Sequence, residues 1–203
     1  MIYFTSDTHF NHRNILSFCP GRRMLLPYNL MDLPWQELVE SQSAIKSMNE
    51  ALIEKWNDAV RPGDTVYHLG DFAMGPRDLI PSVLERLNGT IIMVAGNHDN
   101  KRDDHYFPKV IRTPLIIECE GNLVELVHNP RHAVGTGDLT FCGHVHDLWV
   151  DMKRGHLVEE YRTRRRVEPE WVSPAHIYNV GVDAREFTPR TFAEIVTPRE
   201  TPK

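Results

Sequence analysis

Short polar motifs rich in histidine and aspartate follow four apolar segments of this sequence. The motifs are Asp7-Thr8-His9, Gly70-Asp71, Gly96-Asn97-His98-Asp99 and Gly143-His144-Val145-His146. Each motif comes directly after a run of apolar and β-branched residues that is typical of a buried strand. Because ligands of open α/β sheets bind beyond the carboxyl ends of the strands, we expect these side chains to gather in one site.

The candidate metal ligands carry nitrogen and oxygen donors and no sulfur. They are Asp7, His9, Asp71, Asn97, His128, His144 and His146. Mixed imidazole and carboxylate ligation suits Mn, Fe, Zn, Co or Ni, whereas Mg and Ca prefer oxygen ligands alone. These ligands are too many for one tetrahedral ion, but a carboxylate can bridge two ions. We therefore expect two divalent cations, with Mn as the first candidate and Fe, Zn, Co and Ni as alternatives.

The chemistry expected of such a centre is hydrolysis at phosphorus. Two cations about 3.5–4 Å apart can clamp a phosphoryl group and generate hydroxide from water near neutral pH.

His98 is the predicted catalytic acid that protonates the leaving oxygen, or a stabiliser of charge on the phosphoryl group. Asp99 is predicted to orient the His98 imidazole, with a helix N-cap as the alternative. His12 and Arg13 are predicted to bind substrate together with Asn97 and His98, with an exposed polar turn as the alternative.

The elements that must position these residues alternate between strands and helices. Strands are predicted at 2–6, 65–69, 90–94 and 139–142, and helices at 11–19, 35–60 and 78–87, the second of them broken in the polar cluster 41–47. A hairpin is predicted for 115–119 and 123–127, a strand for 177–182, and a strand or short helix for 191–196. The β-α-α-β-α-β order of the first half indicates a largely parallel sheet. We expect an α/β protein with two facing sheets and helices outside.

The ordered motifs resemble those of the calcineurin-like metallophosphoesterase family. The matching residues are Asp7-x-His9, Gly70-Asp71, Gly96-Asn97-His98-Asp99, His128 and Gly143-His144-x-His146. The resemblance implies a four-layer α/β/β/α sandwich, with two facing mixed β-sheets flanked by helices, and a dinuclear centre. It implies that one metal is held by Asp7, His9, Asp71 and His146. It implies that the other is held by Asp71, Asn97, His128 and His144, with Asp71 bridging and His98 catalytic. Residues 5–15 and 179–183 further resemble a small bacterial and phage branch of the family.

Length, charge and cysteine content limit the remaining possibilities. The 203 residues suit a single domain over 1–203, with a hairpin or loop excursion near 150–175. The formal net charge of -5 provides no global positive field for long nucleic acids. The run Arg162-Thr163-Arg164-Arg165-Arg166 is either a solvated loop or a clamp for phosphates.

Three cysteines without a CxxC motif argue against a disulfide framework and a thiolate zinc site. The lack of a signal peptide or membrane span predicts a cytoplasmic protein without a membrane partner.

The function predicted from these observations is a metal-dependent phosphoric diester hydrolase. Its expected substrates are small or nucleotide phosphodiesters, with cyclic nucleotides such as 2′,3′-cyclic phosphates first. One alternative is a nuclease that uses the same centre on DNA or RNA. Further alternatives are a catalytically inert binding scaffold and a phosphomonoesterase.

Overall fold

The computed structural model describes residues 1–76, 78–158, 161–162, 167–168 and 171–197. The strands of its first half are β1 (Ile2–Thr5), β2 (Thr65–His68), β3 (Thr90–Val94) and β4 (Lys109–Ile111). The next five are β5 (Leu115–Cys119), β6 (Asn122–Val127), β7 (Leu139–Cys142), β8 (Asp151–Met152) and β9 (Leu157–Val158). The last five are β10 (Tyr161–Arg162), β11 (Val167–Glu168), β12 (Trp171–Val172), β13 (Ile177–Asn179) and β14 (Arg190–Thr191).

These strands form two five-stranded sheets and two ribbons. The first sheet has the order β14-β1-β2-β3-β4, in which β1 to β4 are parallel and β14 is antiparallel to β1. The second sheet has the order β5-β6-β7-β13-β8, with parallel pairing of β6, β7 and β13 and antiparallel pairing at both edges. Two ribbons, β9 with β12 and β10 with β11, lie in the predicted excursion. The extent of the single domain over 1–203 stays a prediction.

The helices fall mainly in the first half of the chain. The α-helices are α1 (Ile15–Phe18), α2 (Tyr28–Met31), α3 (Trp35–Glu40), α4 (Gln42–Ala59), α5 (Leu79–Leu84) and α6 (Phe192–Val196). In the part of the chain that the structure describes, 3-10 helices span Pro20–Leu25, Lys101–Tyr106, Pro130–His132 and Val182–Ala184. Among the described residues, no helix is long and apolar enough to traverse a lipid bilayer.

The long predicted helix is broken where its polar cluster begins. The backbone of Ser41 is extended, which ends α3, and its hydroxyl accepts a hydrogen bond from the Ala44 backbone N–H. A serine N-cap of this kind stabilises a helix by about 1 kcal/mol. In α4 the buried residues include Met48, Leu52 and Trp56, which recur at helical spacing on one face. The predicted break and the predicted amphipathic face are both confirmed.

Two apolar cores lie on opposite faces of the first sheet. Successive side chains of β1 point to opposite faces, so Tyr3 packs with the helices and Phe4 packs with the second sheet. The Phe4 and Phe141 rings meet edge to face between the sheets, with their centroids 4.8 Å apart. The predicted α/β architecture of two facing mixed sheets flanked by helices is confirmed.

The structure differs from the predicted elements at several boundaries. The strand predicted for 177–182 ends at Asn179, because the chain turns into the 3-10 helix Val182–Ala184. Residues 191–196 contain both predicted alternatives, since β14 leads directly into α6 through a Thr191–Glu194 capping box. Strand β4 was not predicted, because three residues are too few to show a periodic pattern.

Candidate metal centre

The predicted ligands lie in the loops that follow β1, β2, β3, β6 and β7. Six of them form two groups, in each of which the ligand atoms all lie within 4.8 Å of one another. The first group consists of Asp7, His9 and His146, and the second of Asp71, His128 and His144. Residues separated by more than half the chain are therefore neighbours at one edge of the facing sheets.

The backbone at the ligands is left-handed. The φ angles are 57° at Asp7, 48° at His9 and 56° at Asp71, and they are 72° at His144 and 49° at His146. Such angles are uncommon for residues with a side chain and are concentrated at functional sites. In an extended chain the i, i+2 spacing would point His144 and His146 in the same direction, but here the left-handed backbone places them in different ligand groups.

Asp71 connects the two groups. Its Oδ2 atom lies 3.6 Å from His9 Nε2 and 3.4 Å from His128 Nε2. Its other oxygen, Oδ1, accepts a hydrogen bond of 2.8 Å from the His98 backbone N–H. Burial disfavours the ionised carboxyl, but His128 and His9 outweigh burial and hold the pKa of Asp71 well below its usual range. Asp71 is therefore a carboxylate in the position that a bridging ligand requires.

The ring of His128 is oriented by a backbone carbonyl. Its Nδ1 lies 2.7 Å from the oxygen of Leu69, which can only accept, so Nδ1 carries the proton of the neutral ring. Its Nε2 then faces Asn97 Oδ1 at 3.0 Å and His144 Nδ1 at 3.3 Å. Burial lowers the pKa of His128, but Asp71 and Asp7 outweigh it and raise that pKa to about 9. In the metal-free protein Nε2 is therefore protonated at neutral pH, and a bound cation would take the place of that proton between Asn97, His144 and Asp71.

The first group contains buried polar atoms without a hydrogen-bond partner in the described part of the chain. They are Asp7 Oδ1 and both ring nitrogens of His9. Leaving such atoms unpaired costs about 1–3 kcal/mol each, so buried polar groups are normally satisfied. Burial lowers the pKa of His9 well below its usual value, so its imidazole is neutral and suited to bind a cation. The residues of both groups therefore fit divalent metal ions.

The buried ion pair of Arg22 and Asp183 contacts His146. His146 Nδ1 lies 2.8 Å from Asp183 Oδ2, and Arg22 donates hydrogen bonds of 2.7 and 2.8 Å to the two oxygens of Asp183. Burial alone would raise the pKa of Asp183, but Arg22 and His146 hold it well below its usual range. Sequence reasoning missed both partners, because Arg22 lies in a segment read as an irregular connection and Asp183 carries no metal-ligand motif.

His68 joins the first two ligand loops inside the core. Its Nδ1 accepts a hydrogen bond of 3.2 Å from the Gly70 backbone N–H, so Nε2 carries the proton and donates to Thr8 Oγ1 at 3.0 Å. Burial lowers the pKa of this fully buried imidazole to about 4. The neutral ring therefore ties the loop after β1 to the loop after β2.

Two glycines permit the close approach of the ligand loops. A Cβ atom on Gly96 would lie 2.3 Å from Asp71 Oδ1, and one on Gly143 would lie 2.5 Å from Asp7 Oδ2. Both distances are shorter than any van der Waals contact. Glycine is therefore required at these positions for the ligand carboxylates to lie where they do.

His98 lies at the rim of the site, but Asp99 does not orient it. The His98 side chain is exposed, and its ring centroid lies 5.6 Å from that of His9. Asp99 instead accepts hydrogen bonds of 2.7 Å from the backbone N–H groups of Asp71 and Gly96, and one of 3.0 Å from Phe72. Both the predicted contact with His98 and the N-cap alternative are wrong. The Asp99 carboxylate instead joins the loop after β2 to the loop after β3 through these hydrogen bonds.

The predicted substrate-binding pair separates in the structure. The His12 ring centroid lies 5.1 Å from that of His9 and 6.5 Å from that of His98, so His12 borders the site. The exposed Arg13 guanidinium lies 3.6 Å from a carboxylate oxygen of Glu40 at the end of α3. Arg13 is thus paired on the surface in this structure, and its contact with substrate stays a prediction. Of the predicted arginine run, residues 163–166 lie outside the described residues.

Comparison with known proteins identifies the family of this chain. The sequence profile of the calcineurin-like phosphoesterase superfamily domain matches residues 47–161, which include the ligands from Asp71 to His146. The chain therefore belongs to the calcineurin-like phosphoesterase superfamily, a class of hydrolases that is typically metal-dependent.

An uncharacterised protein of Methanocaldococcus jannaschii is 36% identical over 131 residues, which cover 64% of this chain and 58% of that relative. The match thus spans less than two thirds of the relative's length. A protein of unknown function from Aquifex aeolicus has a crystal structure with a TM-score of 0.63 and 24% sequence identity, covering 96% of this chain and 97% of that chain. This likeness supports the fold alone.

Proposed function

We propose that this protein is a dinuclear metal-dependent phosphodiesterase that acts on small or nucleotide phosphodiesters. The observation that carries the proposal is the position of Asp71 Oδ2, 3.6 Å from His9 Nε2 and 3.4 Å from His128 Nε2. One cation would be held by Asp7, His9, Asp71 and His146. The other would be held by Asp71, Asn97, His128 and His144. Nitrogen and oxygen donors favour Mn, with Fe, Zn, Co and Ni as alternatives.

When bound, two such cations supply Lewis-acid activation of water and neutralise charge on the phosphoryl oxygens. The residues of this chain orient the substrate and handle the proton. The exposed His98 imidazole is available to protonate the leaving oxygen, and its backbone N–H anchors it beside Asp71. His12, whose ring centroid lies 5.1 Å from that of His9, would contact a phosphoryl oxygen.

An aromatic surface beside the site favours nucleotide substrates. The Phe18 side chain is 45% exposed, and its ring centroid lies 6.0 Å from that of His12. Since His12 in turn contacts His9, an ester whose phosphorus lies at the ligand groups can extend a nucleobase toward Phe18. Stacking of a base on an aromatic ring contributes about 1–3 kcal/mol. Cyclic nucleotides such as 2′,3′-cyclic phosphates are small esters that meet this requirement.

A nuclease is the second candidate function. The observation in its favour is the arginine run at 162–166, which offers several cations for a phosphate backbone. The net charge of -5 acts in the other direction, because it repels long polyanions. We therefore favour small substrates over polynucleotides.

The test is a substrate panel assayed with added Mn²⁺ and with chelator. We expect turnover of 2′,3′-cyclic AMP and of a chromogenic diester that disappears on chelation and returns with Mn²⁺. Asp71→Asn should lower kcat by at least about 100-fold, since it removes the charge shared by both ligand groups. Asp58→Asn, on the exposed side of α4, is the matched control and should retain activity. Faster turnover of RNA or DNA would favour the nuclease, and undiminished activity after chelation would contradict the proposal.

A further inference from the structure

We infer that Asp183 and Arg22 are positioning residues that fix His146 and thereby set the affinity of one of the two cation sites. This inference rests on the dinuclear centre proposed above. Neither residue is a candidate ligand in the sequence motifs. Asp183 contacts His146, and Arg22 contacts both Asp183 and the backbone oxygen of Asp7, so the two residues support the group formed by Asp7, His9 and His146.

The contact between His146 and Asp183 determines which ring nitrogen can bind a cation. His146 Nδ1 lies 2.8 Å from Asp183 Oδ2, and a carboxylate held by a guanidinium can only accept a hydrogen bond. His146 Nδ1 therefore carries a proton and donates it. Nε2 is the nitrogen that remains for a cation. A carboxylate partner of this kind also increases the basicity of a metal-binding imidazole.

Arg22 links that carboxylate to the ligand loop after β1. Its side chain has no exposed surface, and its Nε and Nη2 donate to the two oxygens of Asp183 at 2.7 and 2.8 Å. Nη1 donates to the backbone oxygen of Thr8 at 2.8 Å, and Nη2 donates to that of Asp7 at 2.6 Å. One guanidinium therefore holds both the backbone of the ligand Asp7 and the partner of the ligand His146. A buried charge is tolerated only when it is paired and hydrogen-bonded in this way.

The second ligand group is supported differently. There the orienting partner of His128 is the neutral backbone oxygen of Leu69, at 2.7 Å from Nδ1. A neutral carbonyl polarises an imidazole less than a carboxylate does. The two cation sites are therefore unequal, and the site that contains His146 depends on Asp183 and Arg22 for its affinity. Loss of such a supporting contact typically weakens metal binding 10–100-fold.

The test is a calorimetric titration of metal-free protein with Mn²⁺, combined with electron paramagnetic resonance of the free ion. Wild-type protein is expected to bind two ions. In Asp183→Asn, one dissociation constant should rise by about 10–100-fold while the other changes less than about twofold. Circular dichroism checks that the variant is folded. If Asp183→Asn leaves too little folded protein, the double variant Arg22→Gln with Asp183→Asn removes both buried charges and should show the same selective loss.

Glu125→Gln is the matched control. Glu125 is also a buried carboxylate, which accepts hydrogen bonds from the Val134 and Gly135 backbone and from Thr140, but it lies outside both ligand groups. It should lower stability and leave both Mn²⁺ affinities unchanged. A folded Asp183 variant with two wild-type affinities, or with equal losses at both sites, would overturn the inference and leave the proposed function standing. Wild-type protein that binds no Mn²⁺ would contradict both.

Discussion

The carboxylate of Asp99 accepts a hydrogen bond of 2.7 Å from the backbone N–H of Asp71. Asp99, the last residue of the third sequence motif, thus supports the loop of Asp71 and makes no hydrogen bond to the neighbouring His98 imidazole in the described residues. Because the same carboxylate also accepts from Gly96, it holds the loops after β2 and β3 at a fixed separation. The position of Asp71 between the two ligand groups therefore depends on a contact between two loops.

Replacement of this carboxylate is expected to reduce stability without changing the acid in catalysis. Asp99→Asn places an amide donor against backbone donors and should lower the free energy of unfolding by about 1–3 kcal/mol. The pH profile of kcat/KM should keep its shape, since Asp99 does not touch the His98 ring. Chemical denaturation and pH-rate profiles are the measurements. If the acidic side of the kcat/KM profile moved while the free energy of unfolding stayed unchanged, Asp99 would instead act on the protonation of His98.

Gly96→Ala should disable the centre through a steric clash. The added Cβ would lie 2.3 Å from Asp71 Oδ1 and 2.8 Å from the His128 ring. Overpacking of this kind typically costs about 1–3 kcal/mol, and here it must also displace a ligand. We expect weaker Mn²⁺ binding in titrations and a lower midpoint of thermal unfolding.

Gly63→Ala is the control for that substitution, because nothing lies within 4 Å of the position a Cβ would take there. It should leave Mn²⁺ affinity unchanged and alter stability by less than about 1 kcal/mol. If the two variants had the same Mn²⁺ affinity and the same stability, the predicted clash between a Cβ at position 96 and Asp71 would be contradicted.

The metal-free protein should lose stability in acid partly through His68. Burial lowers the pKa of this imidazole to about 4, whereas in the unfolded chain it titrates near 6.5. The unfolded state therefore binds the proton first, and stability falls as the pH drops from about 6.5 toward 4. The full contribution is about 3 kcal/mol, because the two pKa values differ by about 2.5 and each pKa unit corresponds to about 1.36 kcal/mol.

His68→Gln should flatten this dependence when unfolding free energies at pH 7 and pH 4.5 are compared with those of the wild type. The exposed His105 provides a control, since His105→Gln should leave the pH dependence as it is. If the His68 variant kept the wild-type dependence of unfolding free energy on pH, other groups would be responsible for the loss of stability in acid.

Removal of the Phe18 ring should impair nucleotide substrates selectively. Phe18→Ala is expected to raise KM for 2′,3′-cyclic AMP by about 5–100-fold, which corresponds to the loss of one stacking contact. KM for a diester without an aromatic group should not change, and Phe18→Tyr should retain tight binding. Met24→Ala, at another exposed position in the same segment, is the control. Equal changes for both substrates would exclude a role for Phe18 in base recognition.

The sequence alone was sufficient to predict the parallel half of the fold and the gathering of the candidate ligands beyond its strands. Asp7, Asp71 and His144 each follow an apolar run that is long enough to form a strand, and parallel strands bring their carboxyl ends together. The break of the long helix at Ser41 could also be predicted, because capping is a local interaction that a short segment contains in full.

Only the tertiary structure decided which groups support the ligands. Arg22 and Asp183 are separated by 161 positions, and their ion pair leaves no periodic pattern in either segment. The family resemblance implied different metals for His144 and His146, but the left-handed backbone that separates these neighbours could not be read from their spacing. Hydrogen bonds between distant loops depend on how the two sheets face each other. They are therefore a property of the packed molecule and cannot be read from any local stretch of its sequence.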